Sequence, residues 1–551
     1  MKRIATALLV CVATAASALA CTSILVGKNA SADGSVMCTY NIDTWGGYHP
    51  MYRFEAGTHP EGTMRKIYDR DYHNYHGQIP EAPVTYLVNG NINEWQVAIS
   101  ETTFEGRSEL VDNKGIIDYC SLMDLGLQRS RTAREAIDVM TTLAERHGYC
   151  SEGETFTVCD PNEAWILEMA GCGPGSKSVV WIAVRVPDNA VLAHANQSRI
   201  RKVNLADTAN VKISDNCISF ARKRGYFKGP DSEFSFCDAY NPVAFGGRRL
   251  SDSRVWAIYR HLTTGMDRYL PYVEGKKPLD EVEPLPMWII PDKKVTVNDL
   301  LVCLRDHFEG TALAMDNDPG AGLYDSPFRP QPLRYDDEGT MMFNERPVAT
   351  PHTAFTWVCQ LRGFMPREVG GLMWWGNDDS GMVAYTPMYC CNSRVPRPYN
   401  TPGADAFHFS EDNAYWVCNW VSNMVYPRYS MMFPSLQTVR DSLDASYDRL
   451  QPEIEAKALA LPTADERIKL LTDYSCQKGD EMISRWQQLA FFLIVKYNDM
   501  VVKPTDENGT FLRTPYGHGA RVVRPGFPER YAKDLLKQTG NKFLVPQKEN
   551  K

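Results

Sequence analysis

The sequence predicts an α+β protein with a helical C-terminal part. Strand-like runs separated by turn residues fill the N-terminal third, amphipathic helical spacing appears between and after them, and from about Ser435 the pattern is helical. Strands with helices both between and after them favour mixed layers over a pure β-sandwich or a helical bundle. The chain has 551 residues, of which 44% are hydrophobic and 23% charged, and this ordinary globular composition excludes a disordered, collagen-like or coiled-coil architecture.

Residues 21–26 read as the first strand, Asp33-Gly34 as its turn, and residues 35–42 as the returning strand. A second hairpin is expected over 84–88 and 95–104, turning at Asn89-Gly90-Asn91. A third pairs 155–159 with 164–168 across Asp160-Pro161-Asn162, and runs at 179–186 and 190–193 continue the strand pattern. Residues 130–147 carry apolar side chains at helical spacing (Ala133, Ala136, Ile137, Met140, Leu143). Asn298 is placed to cap a helix over 299–309 that stops at Gly310. Five prolines within 271–291 mark a connector. In the C-terminal part Pro452 predicts a kink or break, and residues 486–497 predict a buried helical face too short to span a bilayer.

Charge excludes one class of partner. Lys plus Arg is 59 and Asp plus Glu is 67, giving a net charge of −8, and basic residues gather only in short clusters such as Arg222-Lys223-Arg224. A nucleic-acid binder would show a basic footprint, so no nucleic-acid partner is expected.

Residues 1–20 read as a secretory signal peptide: Lys2 and Arg3 form the charged start, residues 4–16 a mostly apolar run, and Ala18-Leu19-Ala20 a small-residue cleavage site. The expectation is an exported protein, periplasmic or extracellular, without a stable membrane span. Cleavage leaves 551 − 20 = 531 residues, removes two positive charges, and makes Cys21 the first residue of the mature chain. A lipoprotein also begins with Cys, but its signal usually carries Leu at −3, where this chain has Ala18; ordinary secretion fits better than lipid anchoring. Of the 15 cysteines, 14 remain without Cys11, and setting Cys21 aside leaves an odd 13. Their spacings match no zinc template, so most are read as small buried hydrophobes, with an undetermined number of bridges permitted by export.

A thiol beside a free α-amino group combines a nucleophile and a base in one residue. The ordinary values are about 8 for the amine and about 8.5 for the thiol, so the amine accepts the thiol proton near neutral pH without a histidine. On position alone Cys21 is merely the residue after a signal. Its surroundings change the weighting. Residues 21–28 (Cys-Thr-Ser-Ile-Leu-Val-Gly-Lys), Ala32-Asp33-Gly34-Ser35 and Asn41-Ile42-Asp43 come first. Asn93-Glu94 with Val97-Ala98-Ile99-Ser100, then Asp160-Pro161-Asn162-Glu163-Ala164-Trp165, Ala195-Asn196-Gln197, Ser326-Pro327-Phe328-Arg329 and Gly371-Leu372-Met373-Trp374-Trp375-Gly376 follow in the same order. Together they resemble the secreted dipeptidase family of N-terminal-nucleophile (Ntn) cysteine hydrolases, related to penicillin V acylase and bile salt hydrolase.

The resemblance implies a four-layer αββα Ntn-hydrolase sandwich over residues 21–430, followed by a helical region at 431–551. It implies a dipeptide substrate and no metal or other cofactor. Cys21 carries over as nucleophile, Asp43 as the acidic residue that orients the amine, and Asn196 as an oxyanion-holding carboxamide. An earlier oxyanion asparagine falls near Thr103, so Thr103 is a candidate substrate-binding residue, and Arg199 is a candidate partner for the substrate carboxylate. Where the acylase relatives carry an arginine three residues before the aspartate, this chain has Tyr40, which weakens an acylase assignment.

Other motifs fail. Gly171–Ser178 resembles a phosphate loop but has Ser176 at the second required glycine, and the acidic stretch at Asp316 has Pro327 where a calcium loop needs its closing glutamate. No His-Glu-x-x-His and no Gly-x-Ser-x-Gly occurs. Two alternatives stay open: an amidase or acylase of the same superfamily, and a surface lipoprotein binding peptides or glycans on aromatics such as Trp374, Trp375, Trp416 and Trp420. The sequence leaves the oligomeric state open, a homo-oligomer included.

Overall fold

The computed structural model describes residues 21–44, 46–70, 73–330 and 334–546; residues 1–20, read above as a signal peptide, lie outside the described residues. The chain is mixed α+β, with two large antiparallel sheets. The seven-stranded sheet runs in the order Trp288–Ile289, Val191–His194, Ser23–Val26, Val36–Asp43, Thr353–Leu361, Gly371–Asn377, Thr386–Tyr389. The eight-stranded sheet runs Val211–Ile213, Val179–Arg185, Ala164–Gly171, Gly153–Cys159, Ala98–Phe104, Ile92–Asn93, Val88–Asn89, Arg53–Phe54.

Alternation along the eight-stranded sheet decides what covers it, because successive side chains point to opposite faces. Ile99, Phe156, Val158, Trp165 and Leu167 pack with the helices Tyr119–Arg129 and Ala133–His147. Their neighbours Ala98, Cys159, Ala164 and Ile166 share a core with Ile24, Val26, Tyr40 and Ile42 of the seven-stranded sheet. Polar contacts also cross between the sheets. Ser23 Oγ lies 3.0 Å from Ser100 Oγ, and His194 sits between Thr102 (2.8 Å) and Thr157 (2.7 Å). The seven-stranded sheet also meets helices, among them Ser253–Leu262 at Val191–His194 and Ala464–Tyr497 at Thr386–Tyr389.

The first and third expected hairpins are present, with Gly153–Cys159 and Ala164–Gly171 longer than their turn signals suggest. The second is tighter than expected. Val88–Asn89 pairs with Ile92–Asn93 around Gly90, whose φ of +60° suits a glycine, while Val84–Thr85 pairs elsewhere with Gly57–Thr58. Thr296, not Asn298, caps the helix Val297–Leu304 through a capping box with Asp299, and the helix ends before Glu309. In the C-terminal part the helix Tyr429–Leu459 runs through both Pro434 and Pro452, so Pro452 does not end it. Leu436, Leu443 and Tyr447 of that helix, with Leu471 and Trp486 of Ala464–Tyr497, lie in the same hydrophobic core as the sheets. Arg362, just past Thr353–Leu361, is clamped to Glu455 by two hydrogen bonds of 2.9 and 2.7 Å.

All 14 described cysteines are free thiols. Among the described residues no helix is long and apolar enough to cross a membrane.

Candidate active site

Antiparallel register assembles the site. Ser23–Val26 is flanked by Val191–His194 and Val36–Asp43, with Ser23 opposite His194 and Leu25 opposite Cys38. The beginning of an antiparallel strand lies beside the ends of both neighbours. Cys21 therefore enters its strand next to Asp43, the last residue of one neighbour, and Asn196, two residues past the other. Thr22 and Asn41 exchange backbone hydrogen bonds of 3.1 and 2.9 Å, which holds this level.

One arginine ties the sequence-predicted residues together. Arg254 is fully buried, and its Nη1 donates to the Cys21 carbonyl (2.8 Å) and to Thr22 Oγ1 (2.6 Å), while its Nη2 donates to Asn196 Oδ1 (2.6 Å). Asn196 Nδ2 in turn donates to the Thr103 carbonyl at 2.6 Å. Arg254 is the second residue of the helix Ser253–Leu262, which follows a π-helical turn at Gly247–Asp252, a widened turn of the kind often found at functional sites. Asp43 is held from the other direction: Arg346 Nη2 donates to Oδ2 and the Thr353 hydroxyl to Oδ1, both at 2.7 Å.

An acidic flank also borders Cys21. Its thiol donates to Glu101 Oε1 at 3.1 Å, and the same oxygen accepts a short hydrogen bond from the Tyr40 hydroxyl. Thr103 Oγ1 donates to Glu154 Oε1 at 2.8 Å and lies 3.5 Å from Glu101 Oε2. Register explains the meeting, since Thr103 stands opposite Glu154 where Ala98–Phe104 pairs with Gly153–Cys159.

These surroundings set the protonation states. Burial, then the Glu101 and Asp43 carboxylates, push the Cys21 thiol well above its ordinary value, opposed by a hydrogen bond from the Asp43 backbone amide. Burial pushes the Asp43 carboxyl up, although Arg346, Thr353 and Arg254 all act to lower it. Burial and then the neighbouring Arg346 bring the Arg254 guanidinium down to about 9, above neutral pH, so it stays charged. Burial and then Glu101 push the Glu154 carboxyl well up. The resting thiol is thus protonated, and the site needs a base.

Of the sequence-predicted residues, Cys21, Asp43, Asn196 and Thr103 come together. Arg199 does not join them. It is buried, with Nη1 3.0 Å from Asp252 and Nη2 donating to the Pro286 carbonyl at 2.5 Å, and its backbone amide donates to Glu168. Trp374 and Trp375 are core residues of Gly371–Asn377, so they form no surface platform, whereas Trp416 and Trp420 are half-buried beside Phe409. Arg254, Arg346, Glu101 and Glu154 are the members sequence reasoning misses. Glu101 did leave a signal, as a charged residue inside the strand-like run 95–104, whereas Glu154 stands just before the expected run 155–159; a charge buried on a strand persists only with a partner or a task.

A thiol flanked by carboxylates, a guanidinium and a carboxamide is the equipment of a cysteine hydrolase. Comparison with known proteins narrows this further. The profile of Peptidase family C69 matches residues 20–442, and the chain belongs to that family, a cysteine peptidase family of the Ntn type. It is similar to a probable dipeptidase of Salmonella dublin, with 25% identity over 393 residues covering 67% of this chain and 81% of that protein. A probable dipeptidase of Latilactobacillus sakei is 24% identical over 434 residues, 74% of this chain and 82% of its own length. A dipeptidase of Bifidobacterium longum (strain NCC 2705) is 25% identical over 439 residues, 72% and 76% of the two chains.

Proposed function

We propose that this chain is an exported cysteine dipeptidase with the four-layer αββα Ntn architecture, and that removal of residues 1–20 exposes Cys21 as nucleophile and its own α-amine as base. The observation that carries the reading is the meeting of Cys21, Asp43, Asn196 and Arg254 at one end of the seven-stranded sheet. Membership in a cysteine peptidase family and the dipeptidase names of the relatives support it.

In this mechanism the α-amine takes the thiol proton, directly or through one water, and the sulfur attacks the carbonyl carbon of the peptide bond. Asn196 donates to the developing oxyanion, and Asp43 orients the ammonium. The carbon–nitrogen bond breaks as that ammonium returns the proton to the leaving amine, leaving a thioester of the substrate's first residue. Water, deprotonated by the same α-amine, hydrolyses the thioester and regenerates the thiol. Arg254 grips the Cys21 carbonyl and Asn196 together, so it fixes the distance between nucleophile and oxyanion donor.

The test is the intact mass and N-terminal sequence of the exported protein with a thiol-reactive label, followed by a dipeptide panel. A free, labelled Cys21 with dipeptide turnover is expected, and Cys21→Ala should lower turnover by roughly 10⁴-fold or more, as loss of a nucleophile does. A diacylglyceryl adduct on Cys21, an uncleaved chain or an active Cys21→Ala variant would overturn the mechanism. Turnover confined to N-acyl amides would replace the dipeptidase reading with the amidase one.

A further inference from the structure

We propose that Glu101 and Glu154 form the subsite for the free α-ammonium group of the substrate's first residue, beside the Cys21 thiol; this rests on the dipeptidase reading above. The first argument is distance. In a dipeptide the attacked carbonyl belongs to the residue that bears the free amine, and that nitrogen lies about 2.5 Å from the carbonyl carbon, two bonds away. Whatever binds the ammonium must therefore sit next to the attacking sulfur. Glu101 Oε1 is 3.1 Å from Sγ.

The second argument is an unused acceptor. Glu154 is fully buried; its Oε1 accepts from Thr103, and its Oε2 meets no donor other than the proton it can share with Glu101. Among the described residues no arginine, lysine or histidine forms a salt bridge with Glu154. Burial and Glu101 push the Glu154 carboxyl well up, so in the empty site the two carboxyls share a proton, and a bound cation can take that proton's place between them. A primary ammonium brings three donors, enough for both carboxylates. The two arginines of the site are engaged with the Cys21 carbonyl, Thr22, Asn196 and Asp43, so the counter-charge for Glu154 can come from a bound cation.

The arrangement couples recognition to chemistry. Glu101 is one of the groups that keep the Cys21 thiol protonated when the site is empty. An ammonium bound at Glu101 offsets that negative charge, so thiolate formation becomes easier when a substrate with a free amine arrives. An N-acylated substrate places a neutral amide at the same point and offers no such offset. Tyr40, whose hydroxyl holds Glu101 in place, is then a positioning residue for this subsite.

Two measurements on the processed protein decide the matter. In the first, kcat/KM is compared for alanyl-alanine and N-acetyl-alanyl-alanine in the parent protein, Glu154→Gln and Glu101→Gln. The expected parent preference for the free amine is about 100-fold, falling to about tenfold or less in either variant, mostly through KM, as the loss of one charge-assisted contact would give. A preference unchanged in both variants, or an equal loss on both substrates, overturns the subsite. The second follows labelling of the Cys21 peptide by mass spectrometry, using 2-aminoethyl methanethiosulfonate and neutral methyl methanethiosulfonate. It needs no turnover and no variant to fold. Labelling about tenfold faster by the cationic reagent supports the subsite, and equal rates overturn it. If neither peptide is cleaved, the dipeptidase reading fails alone, and the labelling ratio still decides the subsite.

Discussion

On one flank of Cys21 the charged groups are committed to partners inside the protein. Arg254 reaches the Cys21 carbonyl, Thr22 and Asn196, and both carboxylate oxygens of Asp43 have donors from Arg346 and Thr353. On the other flank Glu101 is shared between a tyrosine hydroxyl and the thiol itself, and Glu154 keeps an oxygen with no donor. Both flanks are buried, so both carry the desolvation cost of charge. The difference lies in where the compensation comes from. The guanidinium flank is compensated by the fold and acts as scaffold, whereas Glu154 has no cationic partner among the described residues and, in the proposed subsite, is completed by what binds.

That contrast orders the effects of substitution. The largest short of the nucleophile belongs to Arg254. Arg254→Ala strands three acceptors and frees Asn196, so kcat should fall roughly 10²–10³-fold, as when an oxyanion donor is lost. Stability should fall by about 2 kcal/mol from the unpaired buried groups. Arg254→Lys keeps the charge but not the two-pronged grip, so it should recover part of the stability and little of kcat. Free-amine and N-acetyl substrates should suffer alike, unlike the Glu154→Gln loss. An Arg254 variant that lowers only the free-amine rate would break the division between flanks. Asp43→Asn comes next. It leaves Arg346 with a neutral partner and, in the proposed mechanism, the Cys21 amine without its orienting carboxylate, so kcat should fall roughly tenfold to 100-fold with KM nearly unchanged. A change confined to KM would move Asp43 to the substrate side.

Much of the scaffold is legible in the sequence, because it rests on local signals. The hairpin turn at Asp33-Gly34 and the Pro161 turn lie between strands whose alternation or continuous apolarity is plain. The helix expected over 130–147 is there as Ala133–His147, with Thr132 as its cap. The helix Tyr119–Arg129 is not legible, since nine of its eleven residues are buried and it lacks the polar face that reveals an amphipathic segment. The site divides the same way. Cys21, Asp43 and Asn196 stand in recognisable motifs at strand ends. Arg254 and Arg346 stand 233 and 325 residues from Cys21 in ordinary helical and loop sequence, and only the folded chain brings their charge to it. Arg199 sits in a promising place in the sequence, three residues after Asn196, yet the chain turns it towards Asp252.

The smallest effect expected lies just behind both flanks, at His194. Its ring bridges the two sheets: the Thr102 hydroxyl donates to the Ala195 carbonyl at 2.7 Å, so His194 Nδ1 donates to Thr102, and Nε2 is left to accept from Thr157. Such a ring is neutral, and burial, aided by Arg199, brings its pKa down to about 3. Below about 6.5 the unfolded chain binds a proton that the folded ring refuses. The His194 contribution therefore falls as pH drops from about 6.5 towards 3, by at most about 1.4 kcal/mol per pH unit, and is flat above that window. His49 and His352, also buried and lowered, add to the same slope, while raised carboxyls such as Glu168 and Asp378 oppose it. The difference between the parent and His194→Gln isolates the one ring. The variant should be less stable at pH 7.5, by about 1–2 kcal/mol for an imperfect replacement of two buried hydrogen bonds, and that deficit should shrink between pH 6.5 and 5. A deficit constant with pH would mean that the ring takes up a proton in the folded protein and that the join between the sheets tolerates charge.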